Sequence, residues 1–135
     1  MSQSIDLASP SAHMTSAQVA AWAGLALFCT AFAVLEVVNH GTPTLVAAVL
    51  ALGAPDVTML IGAGEAGQGM LSRRAVPFYN LAHRPWLPLV LLVGYTVAPL
   101  DWPPLFTAGL AWLAHIAADR ALGYGLRDRD GSRRG

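Results

Sequence analysis

Between residues 17 and 38 the chain reads AQVAAWAGLALFCTAFAVLEVV, a run of 22 residues in which Glu36 is the one ionised side chain. No other stretch restricts the fold as strongly. At the helical rise of about 1.5 Å per residue, such a run reaches across a hydrocarbon layer, which takes about 20 residues. The rest of the chain agrees. Of its 135 residues 55% are hydrophobic and 12% charged, with a mean hydropathy of +0.51, too apolar for a small globule that must cover a large surface with polar groups. The sequence therefore predicts an all-α integral membrane protein.

Three further segments complete the reading. Residues 43–63, PTLVAAVLALGAPDVTMLIGA, open on a first-turn proline and are interrupted by Gly53 and Pro55 beside Asp56. Residues 77–100, PFYNLAHRPWLPLVLLVGYTVAPL, contain Pro85 and Pro88, which remove two backbone donors and predict a kink or local unwinding near Arg84. Residues 103–122 begin with Pro103-Pro104 and end before Gly123 and Gly125. Ser16 and Asn39-His40-Gly41 supply start and stop signals for the first segment. Residues 1–16, which include His13, read as a flexible polar tail without the basic region of a cleaved signal, and residues 127–135 as a charged tail. The expected architecture is a four-helix bundle over residues 17–126.

Charge sets the expected orientation. Every basic residue is Arg, and the formal net charge is 0, which gives no nucleic-acid footprint. Arg73, Arg74, Arg127, Arg129, Arg133 and Arg134 fall on the side that holds both termini, whereas the loops at 39–42 and 101–102 have no basic residue. The positive-inside rule then puts both termini in the cytoplasm. Cys29 is the sole cysteine, which excludes an intrachain disulfide.

Within these apolar segments the polar residues share one depth. At about 1.5 Å per residue, His115 lies about 10 Å from the cytoplasmic end of the fourth segment, Asp56 about 10 Å from that of the second, and His83 about 9 Å into the third. His115 and Asp119 are related by i,i+4, as are Tyr79 and His83, while Asn80 and His83 are related by i,i+3, so each set shares a helix face. An Asp or Arg at a helix centre costs about 2.5–3.5 kcal/mol on insertion scales, so such groups turn inward and pair.

Three stretches, APD at residues 54–56, YNLAH at 79–83 and WLAHIAADRALGYGL at 112–126, resemble a bacterial family of small four-helix membrane proteins catalogued as domain of unknown function 4260. The resemblance implies four membrane helices in the bacterial cytoplasmic (inner) membrane and a polar cluster of Asp56, Tyr79, Asn80, His83, His115, Asp119 and Arg120; it implies no activity. The chain departs from the family pattern in having Ala23 before Gly24, where an acidic residue is usual, and in its short arginine tail.

Several functions remain open on the residues alone. His83, His115, Asp119 and Asp56 form a ligand set for zinc, manganese or iron, with Asn80 in support. A metal there would give a hydrolase of lipid headgroups or phosphoesters, with Arg84 and Arg120 holding phosphate. The same residues could instead form a non-enzymatic network that locks the helices together, a proton or small-solute path, or a bis-histidine haem site. The bilayer is the expected surrounding, and small residues on the helices permit a homo-oligomer or another membrane-protein partner. Trp22, Trp86, Trp102 and Trp112 read as packing or interfacial anchors, IGAGEAGQG at residues 61–69 as a flexible loop, Gly123-Tyr124-Gly125 as the end of the last helix, and His40 and Asp101 as aqueous loop residues.

Overall fold

A computed structural model describes residues 13–134; the expected tail therefore lies largely outside the described residues. Among these, the regular structure is all helical: α1 (Ser16–His40), α2 (Thr42–Val57), α3 (Val76–Ala82), α4 (Trp86–Val97) and α5 (Pro103–Ala121), with one 3₁₀ turn at Thr58–Leu60 after α2. α1 starts one residue earlier than Ser16 would predict as a cap. Thr15 is the cap, and its hydroxyl accepts from the Gln18 amide while the Gln18 side chain accepts from the Thr15 amide. The chain then reverses at a single residue. Gly41, at φ 78°, donates back to Val37 and offers its carbonyl to the Thr44 and Leu45 amides, so α1 closes and α2 opens on the same glycine.

The proline effects differ between segments. α2 runs through Gly53 and Pro55 and gives way to the 3₁₀ turn only after Val57, so the interruption expected there is absent. The segment expected at 77–100 is instead two helices, separated at His83–Pro85. Pro85 cannot donate to Leu81, whose carbonyl takes the Arg84 amide, and Pro88 cannot donate to Arg84, whose carbonyl takes the Leu87 amide. The carbonyls of Ala82 and His83 are thereby released from the helical ladder. α5 receives both: Trp112 Nε1 donates to Ala82 O at 2.7 Å, and Arg120 Nη2 to His83 O at 3.4 Å. Trp112 is thus a backbone clamp as well as a packing residue.

α5 is the hub. α1, α2 and α4 all pack on it, and its buried residues, which include Thr107, Gly109, Leu110, Leu113, Ala114, Ile116 and Ala117, lie on all sides. Cys29 and Ala33 of α1 meet Leu110, Leu113 and Ala114; Leu91 and Leu92 of α4 close over Gly109. The outer helices bury little of themselves. In Ser16–His40 and Thr42–Leu60, both long and apolar enough to cross a membrane, only 11% of the apolar window is buried. Leu27, Leu50, Val90 and Val97 are each more than 60% exposed. Helices that form the core of a water-soluble protein have the opposite distribution, and an apolar surface of this extent marks contact with a membrane or another protein.

Helix α5 ends in a Schellman motif: the Tyr124 amide bonds Asp119 O, the Gly123 amide bonds Arg120 O, and Gly123 sits at φ 85°. The residues beyond it do not trail away as the sequence suggested. Arg127, only 8% exposed, donates to the carbonyls of Gly69 and Gly131 and lies over the Tyr79 ring, while the Leu71 amide donates to Gly131 O. This clasp ties the end of the chain to the segment preceding α3.

Candidate metal centre

Two helices and one helix break bring four candidate ligands to one place. Asp56 comes from the last turn of α2, His83 from the cap of α3, and His115 and Asp119 from successive turns of α5. The break matters because it ends α3 at the residue that must face α5, and the Trp112 and Arg120 bonds on either side hold it there. His83 and His115 present their Nε2 atoms 3.3 Å apart. Asp56 Oδ1 is 3.5 Å from each of those nitrogens, and Asp119 Oδ2 is 3.4 Å from each. All four ligand atoms lie within 4.8 Å of one another.

These separations discriminate between the chemical readings. Charge-assisted N–H···O bonds are about 2.7–2.9 Å long, and the pairs here sit at the long end of hydrogen-bond distance. Each Nε2 also has three near-equidistant neighbours, more than one proton can serve. Ligands held at about 2.0–2.1 Å from a central ion in a tetrahedral array are about 3.3–3.4 Å apart, close to the five nitrogen–oxygen and nitrogen–nitrogen separations found here. Two histidine nitrogens and two carboxylate oxygens are a donor set suited to zinc, manganese or iron. The haem reading does not survive, because the imidazoles converge side by side with Asp56 and Asp119 in the space a porphyrin would need.

The support around His83 is specific. Its Nδ1 lies 2.8 Å from Tyr79 O, a pure acceptor, so Nδ1 carries the proton and Nε2 presents its lone pair to the cluster. The Tyr79 ring stacks on the imidazole at 3.9 Å between centroids, and Arg127 covers the other side of that tyrosine at 5.7 Å. His83 and Tyr79 are buried, at 3% and 2% exposure. Asp119 and His115 are partly covered, whereas the Asp56 side chain is 49% exposed. The centre is therefore closed on the α5 side and open beside Asp56.

Not every residue expected at the cluster belongs to it. Asn80 faces away: its Nδ2 donates to Arg127 O at 2.8 Å and its Oδ1 accepts from the Arg127 amide at 2.7 Å, so both ends of the amide serve the C-terminal clasp. Spacing from His83 put it on a neighbouring face, but nothing in that spacing signals a tail folding back to meet it. Arg84 is exposed at the helix break. Arg120 braces the His83 carbonyl and also lines a cavity below the centre. Arg127 and Gly131 were missed as structural residues; the one local signal was an Asp-Gly turn in an otherwise charged stretch.

Comparison with known proteins returns neither a curated protein nor a solved structure that matches significantly. One family does match, over residues 18–134, which spans all five helices, the four clustered ligands and the clasp. The chain belongs to the family described as Domain of unknown function (DUF4260).

Proposed function

We propose that this is a multi-pass membrane protein with a divalent-metal centre for zinc, manganese or iron, and that the centre is hydrolytic, acting on a phosphoester or lipid headgroup near the cytoplasmic face. The carrying observation is the set of 3.3–3.5 Å separations among Asp56, His83, His115 and Asp119. In this reading α1, α2, the broken α3–α4 pair and α5 make four crossings, and the arginines of the α2–α3 loop and the C-terminus mark the cytoplasmic side. A divalent ion held there would act as a Lewis acid and acidify a water molecule at neutral pH. His83, fixed by Tyr79, and His115 and Asp119, fixed on α5, form the rigid wall. Asp56, half-exposed at a helix end, is the ligand able to give way to substrate.

Elemental analysis of detergent-purified protein tests the centre. Stoichiometric zinc, manganese or iron is expected, with loss in His83→Ala and in His115→Ala; wild-type protein that takes up none of the three after incubation with each would refute it. Hydrolysis is tested separately, by turnover of a chromogenic phosphodiester by metal-loaded protein and its loss in His115→Ala. One observation favours a second reading: four protein side chains converge on one point, and four protein ligands with no open position are the pattern of structural sites. Under that reading, chelation lowers the unfolding temperature and loaded protein has no turnover on any phosphoester.

A further inference from the structure

A cavity of about 480 Å³ lies outside the four-ligand centre, its walls coming from the entry to α1, through Met14 and Val19, from the last turn of α5, through Arg120, and from the segment after it, through Leu122, Tyr124 and Arg134. Two cationic side chains face this one space. Arg120 makes no ion pair among the described residues, and its bond to His83 O is long, at 3.4 Å. Arg134 gives its Nε to Asp128 at 3.0 Å and remains 55% exposed, while Arg133, outside the lining, lies over the ring of the lining residue Tyr124 at 4.8 Å. Residues 120–134 hold five arginines against two aspartates. The amino end of α1, a 25-residue helix, opens on the same side and contributes the positive pole of its dipole.

Apolar groups share the lining. Met14, Val19 and Leu122 contribute to it, and Leu122 is 72% exposed. A cavity lined by both arginines and aliphatic side chains, at the end of a bundle whose outer faces are apolar, matches an amphiphile whose charged end is a phosphate. A free phosphate would use the arginines and leave the aliphatic side chains wet.

We propose that the cavity between the start of α1 and the segment after α5 binds the phosphate headgroup of an anionic phospholipid, held by Arg120 and Arg134. This rests on the bilayer location argued above but not on the metal centre, so it applies equally to metal-loaded and chelator-treated protein. At the cytoplasmic rim such a lipid lies beside the centre through Arg120, which joins the cavity wall to the backbone of His83.

The test uses full-length protein reconstituted in phosphatidylcholine nanodiscs containing a minor fraction of phosphatidylglycerol, with lipid retention read by native mass spectrometry after release. Retention of phosphatidylglycerol over phosphatidylcholine is expected, both with zinc and after chelation. Arg134→Gln, which lies away from the four ligands, should reduce that preference about fivefold, the value of one arginine near an anionic headgroup. Equal retention of the two lipids, or an unchanged preference in Arg134→Gln, overturns the proposal. Displacement of the retained lipid by inorganic phosphate overturns it in favour of a free-phosphate site. A chain that purifies without detergent and does not enter nanodiscs would instead overturn the membrane reading on which the cavity depends.

Discussion

His83 shows how much of the centre depends on one side chain's surroundings. It is at once the cap of α3, the donor to Tyr79 O, the ring stacked on Tyr79 and the acceptor of Arg120 through its carbonyl. Groups that orient a metal-binding imidazole affect affinity by about 10–100-fold when removed. Tyr79→Ala should therefore weaken metal binding by about that factor, while Tyr79→Phe, which keeps the stacked ring and the backbone carbonyl, should bind nearly as wild type; competition with a chromogenic chelator measures both. Equal loss in the two variants would assign the role to the hydroxyl. The residue types of this centre were legible in the sequence, because acids and imidazoles are costly in an apolar segment and so stand out, and helical spacing put His115 with Asp119 correctly on one face. Asn80 was not legible, since a residue one turn from a ligand has two possible partners and only the folded tail decides between them.

Among the elements, α5 is where small residues determine packing. A Cβ at Gly109 would come 2.9 Å from Leu92 Cδ2 and 3.0 Å from Leu91 Cδ2, both ends of flexible side chains. Gly109→Ala is expected to be tolerated by a small shift of those leucines, whereas Gly109→Val should destabilise by about 1–3 kcal/mol through overpacking, measured by denaturation in mixed micelles. The limits of α5 were found nearly correctly because Pro103-Pro104 and the glycines at 123 and 125 are start and stop signals readable in the sequence. The third segment was read less well. Two prolines signalled an irregularity, but whether they bend one helix or divide it depends on whether released carbonyls find donors, and those donors, Trp112 and Arg120, lie about 30 residues further along the chain. The clasp had no periodic signal at all. It is built from turn geometry at Gly131, where φ is 91° and a Cβ would collide with Leu71 O.

For the whole molecule, the exposed apolar surface of the outer helices and the arginines at one end lead to a definite orientation. A reporter active only in the cytoplasm should work when fused after Gly135, and a periplasm-dependent reporter at the same place should be silent; the reverse result would invert the topology. Apolar length revealed the long helices because a continuous apolar run at helical spacing stands out in the sequence, whereas the order in which helices pack leaves little trace in composition. Since α1, α2 and α4 meet chiefly through α5, which is made last, the earlier helices have little to assemble around while the ribosome is still translating. Packing must therefore wait for that last helix, and a message that stops before codon 103 would yield helices without a common centre rather than a smaller working bundle.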